Sequence, residues 1–222
     1  MPQEPQPQAG SGLPAPPAVL SERFPAAADG LIRYGEWLAT AGIERGLLGP
    51  REVPRLWQRH LLNCAVIAEV FEPEARIVDI GSGAGLPGVA VALVRPDLRF
   101  ELVESLQRRT EFLHEVVEDL GLGDRIRVVR GRAEDRPVVE KVGRADYVTA
   151  RAVAPLDRLV RWSFPLLARG GRLAAMKGSS VEAELVEHAA TLRRLGAETL
   201  GVTECGVGIV EPPARVLQLA KR

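Results

Sequence analysis

The spacing of apolar residues divides the chain into two parts. Over residues 19–71, apolar side chains recur every three or four positions, as at Leu31, Tyr34 and Leu38, which predicts helices. Glycines and prolines in the middle of this segment divide it into at least two helices. After Pro73, short β-rich runs alternate with helical stretches, an order typical of βαβ units and a parallel sheet.

Runs of β-branched and apolar residues predict the strands of this sheet. They cover 77–80, 99–103, 126–129, 145–149, 172–176, 198–204 and 215–219. Apolar faces that end at Gly121 and Gly196 predict two of the helices between them. The fold class is therefore α/β, an open doubly wound sheet in which ligands bind outside the carboxyl ends of the strands.

The length of 222 residues suits one domain with an extension. We expect a disordered proline-rich tail over residues 1–18 and a helical N-terminal extension over 19–72, followed by a ligand-binding α/β domain over 73–222.

A glycine-rich turn follows the first predicted strand and carries the clearest functional signal. Asp79 is followed by glycines at every second position, Gly81, Gly83 and Gly85, and Pro87 stands where a helix would begin. Backbone N–H groups at such a turn can approach a polar or anionic ligand closely.

Two cofactors fit the residues of this turn. Gly83 to Gly88 reads G-x-G-x-x-G, with Glu104 about 20 residues beyond, as in a dinucleotide site. The acid before the first glycine instead favours S-adenosylmethionine. A carboxylate at the mouth, from Asp79, would repel a pyrophosphate and attract the ammonium and sulfonium of that cofactor.

Charge and cysteine content limit the remaining possibilities. The formal net charge is zero, so nucleic acid would have to bind at a local basic patch. Arg51, Arg55 and Arg59 recur every four residues and would share one face of an α-helix. Two cysteines and the lack of an apolar run long enough to cross a bilayer favour a reduced, cytoplasmic protein without membrane attachment.

The motifs in their order along the chain resemble the glucose-inhibited division protein B family of bacterial methyltransferases. They are Arg59-His60-Leu61-Leu62-Asn63, Val78-Asp79-Ile80-Gly81-Ser82-Gly83-Ala84-Gly85-Leu86-Pro87-Gly88, Val94-Arg95-Pro96, Glu104-Ser105-Leu106, Arg108-Arg109, Phe112-Leu113, Arg132-Ala133-Glu134, Thr149-Ala150-Arg151-Ala152 and Met176-Lys177-Gly178. The resemblance covers about Leu20 to the C-terminus. It implies a class I S-adenosylmethionine-dependent methyltransferase fold, with a mostly parallel seven-stranded sheet, that methylates the seventh position of a guanosine in 16S ribosomal RNA.

The resemblance also implies which residues bind the cofactor. Gly81 and Leu86 would line its methionine and ribose part, Glu104 would accept hydrogen bonds from the ribose hydroxyls, and Ala133 and Glu134 would flank the adenine. The other cofactor-binding residues would be Asp79, Gly83, Ser105 and Arg151.

Basic residues carry the catalytic and RNA-binding expectations. Arg151 and Lys177 would be catalytic, and Arg59, His60 and Arg108 would contact RNA. The family commonly has lysine at the position of Arg108, so the charge but not the geometry carries over. The expected partner is 16S ribosomal RNA or the small ribosomal subunit, bound by a monomer without metal.

Features missing from the sequence agree with methylation of a ring nitrogen. No cysteine stands beside a strand end as a nucleophile, and the fourth strand lacks the N/D-P-P-Y/F typical of exocyclic amino methylation; Glu211-Pro212-Pro213-Ala214 precedes a different strand. Trp37, Trp57 and Trp162 fall within helical patterns and are predicted to pack. A nicotinamide-dependent oxidoreductase and a small-molecule methyltransferase remain alternatives.

Overall fold

A computed structural model describes residues 12–222 of the chain. Its helical N-terminal part contains α-helices with short 3₁₀ and π segments between them. The α-helices are α1 (Ala18–Arg23), α2 (Ala28–Ala39), α3 (Ala41–Glu44) and α4 (Asn63–Ala65), and the other segments are 3₁₀ at Pro25–Ala27, Pro50–Arg55 and Val66–Val70, and π at Leu56–Leu62.

A seven-stranded sheet forms the rest of the molecule. Its elements are β1 (Arg76–Ile80), α5 (Gly88–Val94), β2 (Arg99–Glu104), α6 (Gln107–Asp119), β3 (Ile126–Arg130), α7 (Arg136–Val142), β4 (Ala145–Arg151), α8 (Leu156–Ser163), a 3₁₀ turn (Phe164–Leu166), β5 (Leu167–Lys177), α9 (Val181–Arg194), β6 (Ala197–Cys205) and β7 (Ala214–Lys221).

The strand order confirms the predicted doubly wound sheet. The order is β3-β2-β1-β4-β5-β7-β6, parallel except for the two antiparallel pairings of β7. The strand order reverses between the parallel strands β1 and β4, so the crevice at their carboxyl ends is the expected ligand site.

Two apolar clusters cover the two faces of this sheet. One joins the N-terminal helices to α5 and α6, and the other holds α7, α8 and α9 against the opposite face. The extension therefore shares a core with the sheet, as buried Tyr34 and Phe112 in the same cluster show.

The ends of the other predicted strands lie within two residues of the structure, but one strand start and one predicted helix differ more. Strand β5 starts five residues before the predicted 172, because the glycine pair Gly170-Gly171, which is typical of a turn, lies within the strand. The predicted helix face of Arg51, Arg55 and Arg59 is wrong: Pro54 lies between the first two, and the segment is 3₁₀ up to Arg55 and π beyond it.

The structure covers only part of the predicted tail. Residues 1–11 of the tail predicted over 1–18 lie outside the described residues, and that boundary stays a prediction. Beyond them, Leu13 packs on the core and the backbone carbonyl of Pro14 accepts a hydrogen bond from Trp57 Nε1 at 2.7 Å.

Candidate active site

The glycine turn between β1 and α5 needs glycine for steric reasons. Gly85 has φ +96°, and a Cβ there would lie 2.7 Å from Val89 Cγ2 and 2.9 Å from the Tyr34 hydroxyl. That hydroxyl donates a 2.8 Å hydrogen bond to the carbonyl of Ala84. Helix α2 of the extension thus packs against the turn and donates a hydrogen bond to it.

Asp79 lies beneath this turn and is fully buried. Its Oδ2 accepts a 3.0 Å hydrogen bond from the N–H of Gly88, whereas Oδ1 accepts none from residues 12–222. Burial raises the pKa of the Asp79 carboxyl to about 7. The expectation of a carboxylate at the mouth of the site is therefore wrong, because the last residues of β1 point into the core.

A cavity of about 880 Å³ opens at the carboxyl ends of the central strands, and we call it the cofactor cavity. Among the residues predicted to bind cofactor, those lining it are Gly81, Gly83, Leu86, Glu104, Ser105, Ala133, Glu134 and Arg151. Arg59 and His60, predicted for RNA, also line it. The turn and four strand ends thus converge on one space, as the sheet topology requires.

Glu104 is the acid at the end of β2 and is 3% exposed. Its Oε2 accepts a hydrogen bond from Gly83 N–H at 3.0 Å and its Oε1 one from Leu106 N–H at 2.9 Å. The side chain therefore ties the glycine turn to the start of α6 and also faces the cofactor cavity.

Arg108 and Arg109 are adjacent in α6 but have different surroundings. Arg108 is exposed on α6, whereas Arg109 lines the cofactor cavity with its NH1 3.5 Å from Glu104 Oε2. Adjacent helix residues point about 100° apart, so the structure places only the second of the pair at this cavity.

Arginines outnumber acids around the cofactor cavity. The charged lining residues are Arg59, Arg109, Arg132, Arg151 and Arg158 with Glu104 and Glu134. With Asp79 buried as well, the charge argument used to separate S-adenosylmethionine from a dinucleotide is wrong for this site. The charges of the cavity therefore do not distinguish the two cofactors.

Arg151 ends β4 and stands where two cavities meet. Its NH1 is 3.1 Å from His60 Nδ1, and His60 Nε2 is 2.7 Å from Glu52 Oε2. Sequence reasoning missed Glu52, because the 3₁₀ and π segments that bring it next to His60 leave no regular spacing to detect.

A second cavity of about 1000 Å³ lies on the other side of Arg151, and we call it the acceptor cavity. Arg59, Asn63, Arg151, Ala152 and Val153 line both cavities. Further residues of the acceptor cavity are Arg55, Lys177, Glu184, Glu204, Glu211, Pro212, Pro213 and Arg215. Lys177 Nζ lies 2.7 Å from Glu184 Oε2 and is mostly buried.

Residues distant in sequence complete the walls of these cavities. Pro212 and Pro213, set aside in the sequence because they precede the last strand, lie in the acceptor cavity beside the end of β4 since β7 pairs with β5. Trp162, predicted to pack, lines the cofactor cavity, with the guanidinium of Arg158 5.9 Å from its ring centre. Trp57 is buried as predicted.

The described part of the chain offers neither a metal cluster nor a membrane-spanning helix. Over residues 12–222, no group of three or more His, Cys, Asp or Glu is arranged to hold a metal ion. None of the helices in this range has the length and apolar character required to cross a bilayer.

The chain has the fold of the class I S-adenosylmethionine-dependent methyltransferases. Aeropyrum pernix fibrillarin, solved with natively bound S-adenosyl-L-methionine, superposes with a TM-score of 0.55 at 21% identity over 72% of this chain and 74% of that chain. Mitomycin 7-O-methyltransferase superposes with a TM-score of 0.57 at 21% identity over 96% of this chain and 74% of that chain. These likenesses concern the fold.

Residues 28–211 match the family model of rRNA small subunit methyltransferase G, also called GidB, and the chain belongs to that family. Proteins named ribosomal RNA small subunit methyltransferase G are similar to it. The one from Mycolicibacterium gilvum is 53% identical over 92% of this chain and 89% of its own, and the one from Mycobacterium marinum is 56% identical over 83% and 80%. The resemblance seen in the sequence is confirmed, and these relatives do not favour the oxidoreductase alternative.

Proposed function

We propose that the enzyme methylates the seventh position of a guanosine in 16S ribosomal RNA, with S-adenosylmethionine in the cofactor cavity and the guanosine in the acceptor cavity. The observation that supports this most is that the two cavities share the wall formed around Arg151. The methyl group of the donor and the acceptor nitrogen of the base must come into contact, and a shared wall between the two cavities allows this. The names of the family and of its relatives support the ribosomal RNA of the small subunit as the substrate.

The residues of the cofactor cavity fit this cofactor. We assign the glycine turn, with Gly81, Gly83 and Leu86, to its methionine and ribose part and Glu104 with Ser105 to the ribose hydroxyls. Ala133 and Glu134 are assigned to the adenine. A carboxylate facing the cavity supports the hydroxyl contact, since ionised acids accept hydrogen bonds strongly. Asp79, being buried, is assigned to the shape of the turn instead.

The reaction requires little acid or base chemistry from the protein. When bound, S-adenosylmethionine supplies a methyl group on a cationic sulfur. The seventh nitrogen of guanine already has a free lone pair, so no residue has to remove a proton from it. Alignment and exclusion of water then supply the catalysis, and good alignment can be worth up to about 7–11 kcal/mol.

The cysteines do not offer a covalent route. Cys64, near the junction, is fully buried, and burial raises the pKa of its thiol to about 11. A thiol held neutral is a poor nucleophile.

We assign alignment of the base to Arg151, which can donate hydrogen bonds to the guanine oxygen, and a supporting cationic role to Lys177.

Mass mapping of modified nucleosides tests the proposal. Incubation of the enzyme with labelled S-adenosylmethionine and either naked 16S ribosomal RNA or small subunits should yield 7-methylguanosine at one position. A methyl group on another atom of the base would overturn the ring-nitrogen assignment, and no RNA methylation in either form would overturn the RNA substrate.

Replacing Arg151 with alanine should lower kcat/KM for RNA methylation about 100-fold or more, because the base loses its main orienting donor at the cavity junction. Single-turnover methyl transfer measures this. Arg161→Ala, an exposed arginine on α8, removes the same charge and should stay within about twofold of the wild type. Full activity in Arg151→Ala would remove Arg151 from the catalytic assignment.

We further infer that the enzyme acts in the cytoplasm, where bacterial ribosomes are assembled. A monomeric state stays a prediction, and light scattering would measure it.

A further inference from the structure

His60 lies between a carboxylate and a guanidinium at the junction of the two cavities. It is 6% exposed. Its Nε2 lies 2.7 Å from Glu52 Oε2, and its Nδ1 lies 3.1 Å from NH1 of Arg151. Each ring nitrogen therefore has a charged partner, and the two partners have opposite charges.

The chemistry of these partners determines the tautomer of the ring. A carboxylate only accepts hydrogen bonds and a guanidinium only donates them. A neutral imidazole satisfies both partners in one way alone, with the proton on Nε2 and the lone pair of Nδ1 toward Arg151. The opposite tautomer would direct two N–H groups at each other and leave a lone pair facing the carboxylate.

We propose that Glu52 is a positioning residue for methyl transfer: it fixes the Nε2–H tautomer of His60, and the free Nδ1 then orients the Arg151 guanidinium toward the acceptor base. This inference rests on the proposed function for the direction in which Arg151 acts. Within residues 12–222, the 2.7 Å contact with His60 is the shortest that the Glu52 carboxylate makes with a basic side chain, since its oxygens lie 3.5 Å from Arg59 and 3.9 Å from Arg55. Both of those arginines are more than half exposed, so these two pairs are weak.

The arrangement predicts a dependence of methyl transfer on pH. The charged groups that face His60 are Glu52, Arg151 and Arg59. Burial lowers the pKa of the imidazole, Glu52 opposes this shift, and the two arginines add to it. Protonation would place an N–H on Nδ1 against the guanidinium, so methyl transfer should decrease as the pH falls through the pKa of His60.

Glu52→Gln tests the positioning role directly. We expect kcat to fall about 3- to 10-fold, since the hydrogen bond from the buried ring loses its charged acceptor. The acidic limb of the single-turnover pH profile should also move to lower pH, because removal of the nearby anion makes His60 harder to protonate. Glu115→Gln is the matched control: it breaks the 2.6 Å pair with Arg45 away from both cavities and should change neither quantity. An unshifted limb in Glu52→Gln would overturn the proposal.

Two substitutions of similar size at His60 separate positioning from packing. His60→Asn keeps an acceptor oxygen near the place of Nδ1 and does not titrate, whereas His60→Leu has no acceptor. The asparagine variant should stay within about threefold of wild-type kcat and lose the acidic limb, and the leucine variant should approach Arg151→Ala. Adding Glu52→Gln to His60→Asn should have no further effect on kcat. The positioning role would be overturned if kcat fell equally in His60→Asn and His60→Leu. It would also be overturned if Glu52→Gln lowered the kcat of His60→Asn as much as it lowers that of the wild type.

A long-range ¹H–¹⁵N NMR spectrum of His60 tests the inference independently of activity. The wild type at pH 8 should show the proton on Nε2, and Glu52→Gln should show a mixture of both tautomers. A wild-type Nδ1–H tautomer, or the same spectrum in both proteins, would overturn the positioning role. If the enzyme methylated no RNA and the Nε2–H tautomer were present, the proposed function would fail while the hydrogen-bond arrangement stood.

Discussion

Single side chains in this enzyme take their chemistry from burial and from the partner at hydrogen-bond distance. Asp79 and Glu104 both lie at strand ends beside the glycine turn. Asp79 is fully buried, its side chain accepts a hydrogen bond from Gly88 N–H, and its pKa is raised to about 7. Glu104 accepts two backbone hydrogen bonds and faces the cavity. Two carboxyl groups that both lie at the end of a strand thus have different surroundings.

The raised pKa of Asp79 has a consequence for stability. Because its pKa in the folded protein, about 7, exceeds the ordinary 3.8, the folded state binds the extra proton, and Asp79 makes the free energy of unfolding fall as the pH rises between these values. In Asp79→Asn this fall should be smaller by about 1–4 kcal/mol, on the basis of 1.36 kcal/mol per pKa unit. Urea unfolding at pH 4 and pH 8 measures it.

Asp97 provides the control of opposite sign. Its hydrogen bonds with Arg95 lower the pKa of its carboxyl, so its contribution to stability is present at neutral pH and disappears in acid. Asp97→Asn should therefore destabilise the protein more at pH 8 than at low pH. Parallel pH curves for Asp79→Asn and the wild type would contradict the assignment at Asp79.

At the level of elements, the N-terminal extension and the glycine turn depend on each other. Helix α2 places the Tyr34 hydroxyl against the Ala84 carbonyl, and the same hydroxyl is close to where a Cβ on Gly85 would lie. The π segment Leu56–Leu62 then brings His60 and Arg59 to the cofactor cavity. The extension therefore lines the cofactor cavity as well as contributing to the core.

Gly85→Ala should disrupt this close packing. A methyl group would lie 2.7 Å from Val89 and 2.9 Å from Tyr34 at a φ of +96°, so we expect the free energy of unfolding to fall by about 2–4 kcal/mol and the binding of S-adenosylhomocysteine to weaken at least tenfold. Urea unfolding and calorimetry measure the two effects.

Gly121 is the matched control for backbone strain. It also has a positive φ, +65°, but a Cβ there would meet nothing within 4 Å in the described structure. Gly121→Ala should cost about 1 kcal/mol and leave cofactor affinity unchanged. Equal effects of the two substitutions would show that the close approach at Gly85 is unimportant.

For the whole molecule, the distribution of charge matters more than its sum. The net charge is zero, yet arginines and Lys177 gather around the two cavities at the carboxyl edge of the sheet. Among the three arginines that were predicted to share one helix face, Arg55 and Arg59 line the acceptor cavity, whereas Arg51, near the start of the 3₁₀ segment, is exposed outside it. A neutral protein can thus present a local basic surface to RNA.

Removal of this local charge should weaken RNA binding in a salt-dependent way. Arg55→Ala/Arg59→Ala should lower affinity for 16S ribosomal RNA and reduce the slope of log K against log salt by about 0.7–0.9 for each phosphate that the protein no longer neutralises. Fluorescence titration over a range of salt concentrations measures the slope. Arg193→Ala/Arg194→Ala, on the exposed end of α9, removes the same charge and should leave the slope unchanged. Equal slopes in both double variants would place the RNA elsewhere.

The sequence by itself determined the order of helices and strands, the glycine turn and the strand-end residues of the cofactor cavity, because these depend on local periodicity and on the rule that parallel strands end at one edge. Only the tertiary structure decided which charged side chains face that edge. It buried Asp79, exposed Arg108, brought Glu52 to His60 and carried Pro212 and Pro213 to the acceptor cavity. The contact of Glu52 with His60 depends on irregular helix segments, and the place of the two prolines depends on antiparallel pairing late in the chain; both join residues with no fixed spacing in the sequence.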